Sequence, residues 1–390
     1  MTAADVCREP FDPQEYIELL QNLVRIDSQN PPGKELAVAD YIYRYFFENG
    51  IDVSYSWPAP DRPNVKAVLP GSRGEGRTLL YNGHLDVVPV GEGWTKPPLD
   101  AVIEDGKLYG RGAADMKSGV AAMMYAAVVL KRMDSPFSGK LILYFNVDEE
   151  RSNLGIKHFL QEDVTADFAV ISEPTDLDAC IGHKGVSRYR VRTRGRAGHT
   201  AIVKNPDNSI YKMVKLVAAL ERLASQVRQT KHSLLGESSL TVAQINGGTA
   251  PNIVPADTVI EIDRRLMPGE TAESSFGELR RTLAGVAAEG GFDFEAEQYQ
   301  HLSPYIIDAE HELVRTALEA ACSITGENKR AKSFEASAEA SFLAVDKGIP
   351  TLIMGPGSLS RAHTADEHVL VDEAVNASRI FVALAMKLLG

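Results

Sequence analysis

Apolar residues along this chain fall into two alternating kinds of pattern. Tyr16, Leu19, Leu20 and Val24 recur at helical spacing and predict a helix over 12–30. A second helix is predicted over 34–49, closed by the Asn49-Gly50 stop signal. Short apolar runs then appear at 65–69, 78–82, 140–147, 168–172 and 350–354, each the length of one buried strand. Helical patterns at 117–132, 153–161, 309–324 and 335–347 lie between and around them. Strands alternating with helices predict an α/β sheet with helices packed on it.

The middle of the chain reads differently. Residues 185–196 alternate, 207–227 are helical, 239–246 and 257–265 are strand-like, 271–288 are helical and 292–298 are extended. That order is βαββαβ, the ferredoxin-like arrangement. It predicts a separate domain over 184–298, inserted into a larger one made of 1–183 and 299–390. Arg188, Arg190, Arg192, Arg194 and Arg196 occupy every second position and would share one strand face. No aromatic residue of this segment shares that face with them, as single-strand binding requires. The expectation is a solvated sheet face with Glu261 and Asp263 as cross-strand partners.

Composition narrows the function classes. The 390 residues carry 41 Lys+Arg against 53 Asp+Glu, a formal net charge of −12, which argues against a general nucleic-acid binder. The longest apolar run, 119–130, is too short to span a bilayer and meets Lys131-Arg132. The first residues show no basic stretch followed by an apolar one, so no secretory leader is expected. Cys7, Cys180 and Cys322 have no CxxC spacing and are too few for a disulfide framework, which fits a reducing cytoplasm.

The chemistry gathers where the predicted strands end. The 78–82 run leads into His84 and Asp86, 140–147 into Glu149 and Glu150, 168–172 into Glu173, and 350–354 into a Gly-Pro-Gly turn and then His363. In open α/β sheets that edge is where ligands bind. Asp115 lies in a Gly-rich loop ahead of the 117–132 helix. Two imidazoles converging with carboxylates suit divalent zinc, cobalt or manganese rather than calcium. Two ions need a shared carboxylate, for which Asp115 is the natural bridge. Asp86 can accept the second imidazole N–H of His84 and orient the ring. Of the adjacent Glu149 and Glu150, one can bind metal while the other serves as general base. His158, His232, His301 and His311 lack such surroundings and read as structural or surface residues.

Eight stretches carry a family resemblance: GHLDVVPVGEGW (83–94), LYGRGAADMKSG (108–119), NVDEERSNLG (146–155), SEPTD (172–176), GRAGHT (195–200), NGGTAPNIVPA (246–256), DRRLMPGE (263–270) and GPGSLSRAHTADEHV (355–369). Together they make the sequence similar to the M20 metallopeptidases, which include acetylornithine deacetylases, succinyl-diaminopimelate desuccinylases, aminoacylases and glutamate carboxypeptidases. The resemblance implies a zinc-peptidase-like catalytic domain with a central mixed sheet, and a lid and dimerisation domain at the insertion. It implies two zinc-like ions, one held by His84, Asp115 and Glu173, the other by Asp115, Glu150 and His363. Glu149 would be the general base, with Asp86 orienting His84 and a cis peptide following Asp115. His199 would reach the partner subunit's site in a homodimer and hydrogen-bond the oxyanion. Asn252 would contact substrate, and Arg265, ahead of Arg264, would hold its carboxylate.

Glu173, the 337–340 segment with Glu339, and His183-Lys184-Gly185 resemble the deacetylases. The implied reaction is hydrolysis of an N-acyl amino acid of the acetylornithine or succinyl-diaminopimelate type. A dipeptidase or carboxypeptidase with the same metals is the alternative enzyme. A non-catalytic binding protein on the same fold is the alternative of another class.

Overall fold

The computed structural model describes residues 10–390. Cys7 and most of the N-terminal stretch read for a leader lie outside the described residues. The described residues divide into two compact units, one made of 10–182, 307–334 and 338–390, the other of 183–306 with 335–337.

The first unit opens with helices α1 (Pro13–Arg25) and α2 (Leu36–Glu48). Asp12 caps α1 by accepting the Gln14 N–H at 2.8 Å, Pro13 follows at the first helical position, and Tyr16, Leu19, Leu20, Leu23 and Val24 form the buried stripe. Then come β1 (Asp52–Ala59), β2 (Arg62–Pro70), β3 (Thr78–His84), α3 (Lys117–Arg132), β4 (Lys140–Asn146), α4 (Leu154–Phe159), β5 (Phe168–Ile171) and β6 (Ala179–His183).

In the second unit, β7 (Gly185–Arg194), α5 (Ser209–Val227), β8 (Ser239–Gly247), β9 (Asp257–Leu266), α6 (Ala272–Gly290) and β10 (Phe294–Leu302) follow in the βαββαβ order. The strands lie in the order β8-β9-β7-β10, every neighbouring pair antiparallel, which is the ferredoxin-like sheet. Tyr189, Val191, Ile260 and Ile262 pack beneath Met213, Leu216, Leu220, Leu279 and Leu283 of the two helices. The opposite face carries the arginines. Arg188 meets Asp263 at 3.2 Å, Arg190 meets Glu261 and Glu297 at 2.8 Å each, and Arg194 meets Glu295 at 2.6 Å. The face is a charge-paired solvated surface, as alternation alone implied.

Back in the first unit are α7 (Glu312–Thr325), β11 (Thr351–Ile353) and α8 (Val371–Leu389). The main sheet runs β1-β2-β4-β3-β5-β11-β6. Strands β4, β3, β5 and β11 are mutually parallel, whereas β1, β2 and β6 join antiparallel, so the sheet is mixed. Helix α3 is buried from Lys117 to Leu130 and packs against α1 and α8.

One expectation needs correcting. The segment 335–347 is not a continuous helix. Its regular part is a π-helical turn at Phe342–Asp346, while Ser337 donates to the Lys184 carbonyl and Glu339 is gripped by Asn146. Long-range side-chain bonds thus replace the local helical ladder. Helix α8 is an element that the patterning above did not assign. Among the described residues no helix is long and apolar enough to cross a membrane.

Candidate metal centre

The four parallel strands deliver their C-terminal ends to one edge of the sheet. His84 is the last residue of β3. The chain leaving β4 reaches Glu149 and Glu150, that leaving β5 reaches Glu173, and that leaving β11 reaches His363 through the Gly355–Gly357 turn. Asp115 stands just ahead of α3, and its peptide bond to Met116 is cis. Gly119, in the first turn of α3, allows the helix to approach β5, since a Cβ there would lie 2.3 Å from the Ser172 carbonyl oxygen. Asp115, just ahead of that helix, is near enough to Glu173 for its charge to raise the Glu173 carboxyl.

The distances form two groups that share one carboxylate. Asp115 Oδ1 lies 3.1 Å from His84 Nε2, and Asp115 Oδ2 lies 3.3 Å from His363 Nε2. Glu173 approaches His84 at 3.9 Å, and Glu150 approaches His363 at 3.1 Å. Donor atoms of His84, Asp115 and Glu150 all fall within 4.8 Å of one another. Nitrogen and oxygen donors at this density fit a pair of divalent cations of the zinc, cobalt or manganese kind.

Electrostatics point the same way. Burial pushes the Glu149 and Glu173 carboxyls well above the ordinary range. Repulsion from neighbouring acids adds to this, and the His84 imidazole partly offsets it. Hydrogen bonds to Asp115 and Glu150 raise His363 to about 10. Burial would raise Asp115 too, but hydrogen bonds from His363 and His84 outweigh it and hold the carboxyl below its usual value. Protons are thus retained on groups whose donor atoms converge. A bound cation would relieve that arrangement by displacing them.

The supporting shell corrects one expectation. His84 Nδ1 does face Asp86, but its hydrogen bond, at 2.9 Å, goes to the Asp86 main-chain carbonyl, while the carboxylate lies 3.7 Å away. That carboxylate is occupied elsewhere. It accepts the N–H groups of Glu149 at 3.0 Å and Glu150 at 3.2 Å, and the Asn30 side-chain amide at 2.8 Å. Sequence reasoning missed Asn30, Glu367, Arg111 and Asn146 as supporting residues. Only Asn30, placed before two prolines at a turn, lies outside the stretches quoted above. Asn146 donates to both oxygens of Glu339, at 2.8 and 2.7 Å, and burial pushes that carboxyl up to about 8.

The remaining expected site residues belong to the second unit. His199 is exposed, pairs with Ile253 across a short two-stranded ladder, and accepts the Ala201 N–H through Nδ1. Asn252 sits next along that ladder, its carbonyl accepting the Thr200 N–H at 3.1 Å. Arg265 is half-buried, with Nε 3.0 Å from Asp263 and Nη1 3.5 Å from the Ser337 hydroxyl. Arg264 points to the opposite face, is buried, and is paired with Glu270 and Glu278.

Comparisons with known proteins agree on the family. Residues 80–387 match the model of peptidase family M20/M25/M40. The chain is 29% identical to the N-formyl-4-amino-5-aminomethyl-2-methylpyrimidine deformylase of Halalkalibacterium halodurans, over 94% of this chain and 92% of that one. It is 31% identical to the acetylornithine deacetylase of Vibrio vulnificus, over 92% and 94% respectively. Among solved structures, aminopeptidase PepT from Bacillus cereus superposes with a TM-score of 0.81 at 21% identity, covering 97% of this chain and 99% of that one. With the family model spanning most of its length, this chain belongs to the M20/M25/M40 peptidase family, whose enzymes hydrolyse amide bonds.

Proposed function

We propose that this enzyme removes the acyl group from a small N-acyl amino acid. The observation that carries the reading is the Asp115 carboxylate, which offers one oxygen toward His84 and the other toward His363. His84, Asp115 and Glu173 would hold one divalent cation and Asp115, Glu150 and His363 a second, zinc first, with cobalt or manganese as substitutes. Bound there, the pair would supply the positive charge that acidifies a water and polarises the acyl carbonyl.

The chain's own groups do the rest. Glu149 takes a proton from the attacking water as its oxygen bonds to the acyl carbon. The same carboxyl then returns that proton to the amide nitrogen as the carbon–nitrogen bond breaks. His199 donates a hydrogen bond to the oxyanion, an interaction of about 3–4 kcal/mol in such sites. The Arg265 fork grips the carboxylate of the amino-acid half, and Asn252 contacts the substrate beside it.

His199 is assigned to the site of a partner subunit, so the working form is a homodimer joined through the second unit. Exposed Tyr211, Val214, Ile245 and Ile253 on that unit support this. Mixing inactive Glu149→Gln and His199→Ala subunits should restore activity in the hybrid dimer. No recovery after verified subunit exchange would confine His199 to its own chain.

The acetylornithine deacetylase relatives support an amino-acid substrate. The deformylase relative favours a second reading, an N-formyl amine without a carboxylate. The deciding experiment is turnover by cobalt-loaded protein of N-acetylornithine, an N-succinyl amino acid, an N-formyl aminomethylpyrimidine and a dipeptide. Preference for the first two supports the proposal. Preference for the third selects the second reading, and preference for the dipeptide makes the enzyme an exopeptidase. Cobalt binding without any turnover would leave only a binding protein.

A further inference from the structure

The Glu149–Glu150 pair lies on no regular element. It follows β4 after Val147 and Asp148, and Asp148 takes a left-handed φ of 71°. Its position is set by side chains from elsewhere. Asp86 accepts the Glu149 N–H through Oδ1 and the Glu150 N–H through Oδ2. Asn30 then ties Asp86 to the residue just ahead of the pair. Its Nδ2 donates to Asp86 Oδ2 at 2.8 Å and to Asp148 Oδ1 at 2.8 Å. Asn30, Asp86 and Asp148 are 3%, 0% and 2% exposed.

The chemistry of the junction calls for this residue type. Two buried carboxylates converge on one point. Asp148 is balanced by Arg62, 2.9 Å away, whose guanidinium also closes on Glu35. Asp86 has no such partner in its hydrogen bonds and is satisfied by N–H groups. A primary amide is neutral and carries two hydrogens, one for each acid. A carboxyl at position 30 would add a third acceptor, and an alkyl group would leave both acids short of a donor. The main chain fixes the amide in place, because Asn30 N–H donates to the Val87 carbonyl at 2.8 Å, one residue beyond Asp86.

We propose that Asn30 is a positioning residue for the base and for one metal ligand. Its amide locks Asp86 to Asp148, so that the peptide carrying Glu149 and Glu150 is held from both sides. The inference rests on Glu149 as base and Glu150 as ligand, and Asn30 acts only through Asp86 and Asp148.

The test uses full-length, metal-free protein titrated with cobalt(II), followed by calorimetry and visible absorption, with N-acetylornithine turnover and thermal unfolding measured alongside. Asn30→Ala should weaken one of two cobalt sites ten- to a hundredfold, the range for residues that orient metal ligands, and change its absorption band. It should lower kcat more than it raises KM. Asn30→Asp keeps the side-chain shape while replacing the donors, so it should match or exceed that loss. It carries the test if the alanine variant does not fold. Unchanged cobalt affinities and spectra in the folded variants, within twofold of wild type, would overturn the proposal, even if melting temperatures fall. Glu150→Ala is the control. If it loses a cobalt site while the Asn30 variants keep both, the proposal alone fails. If it keeps both sites, the ligand assignment fails and the proposal with it.

Discussion

The carboxylate of Glu367 accepts the main-chain N–H of Asp115 at 3.1 Å. The same oxygen takes the Ala114 N–H at 2.9 Å, and the other closes on the buried guanidinium of Arg111. Asp86 makes the equivalent pair of bonds to Glu149 and Glu150. Two of the three loops that bring acids to the centre, those of Asp115 and of Glu149-Glu150, are therefore each fixed by a buried carboxylate accepting two successive amides. Such bonds hold the backbone, and through it the direction of the side chains that leave it.

Glu367→Ala should then be costly for a specific reason. Arg111 is 2% exposed and would be left without its acid partner. Breaking one side of a buried ion pair typically costs about 3–5 kcal/mol. Glu367→Gln keeps an acceptor for the two amides and should cost less. Denaturant unfolding of the metal-free variants measures both. An alanine variant within about 1 kcal/mol of wild type, the worth of an ordinary hydrogen bond, would contradict this account.

Glu149→Gln should keep cobalt content and fold while losing about 10²–10⁴ in rate, because the amide preserves shape but cannot carry a proton. The loss should lie near the upper end, since in the proposed reaction one group serves both attack and departure. Metal analysis and single-turnover kinetics on one preparation check it. Activity within tenfold of wild type, at normal metal content, would remove Glu149 from the base role.

Much of this was legible in the sequence where one residue type has one local meaning. Continuous apolar runs gave β3, β4, β5 and β11, and the polar residue ending each run marked the edge where the acids and histidines meet. The alternating arginines of β7 read correctly as a charge-paired face because acids alternate in step on β9. What escaped depended on long-range geometry. Asn30 and Asp148 are 118 positions apart, and Asn146 and Glu339 are separated by 193, so neither pairing leaves a local pattern. The segment 335–347 has helical composition, yet tertiary bonds from Ser337 and Glu339 override it. Helix α8 is buried on almost every side from Ile380 onward, so its second half shows no polar stripe to set the period.

Two adjacent arginines should behave differently. Arg264 is buried between Glu270 and Glu278, so Arg264→Ala should destabilise the second unit by leaving that acid pair unbalanced. Arg265 is half-buried and bonds Asp263 beside it. Arg265→Ala should leave stability within about 0.5 kcal/mol, as for most substitutions away from buried networks. It should raise KM chiefly for substrates that carry a carboxylate. Profiling both variants on N-acetylornithine and on an N-formyl amine separates the roles. Equal losses on the two substrates would count against carboxylate recognition.

Lys117 offers a prediction in which the sign of a pH effect can be worked out. Its ammonium is fully buried at the start of α3 and donates to the Leu23 and Ile26 carbonyls, at 2.9 and 2.6 Å, where α1 ends. Burial lowers its pKa to about 7, with Asp27 and Glu367 pulling the other way. An unfolded lysine titrates near 10.4. Between those values the unfolded chain binds more protons than the folded one, so this group makes stability rise with pH across that window and contributes no slope below it. The slope can reach about 1.4 kcal/mol per pH unit. Lys117→Met should abolish it. The same change leaves two carbonyls without a donor, at about 1–3 kcal/mol each, so the variant can be less stable than wild type at every pH and still show a flatter profile. The informative quantity is the difference in slope. It is measured by urea unfolding of both metal-free proteins at pH 7, 8 and 9. Parallel profiles would mean that Lys117 keeps its charge in the fold throughout, held by the two carbonyls and by Asp27 and Glu367 more firmly than its burial opposes it.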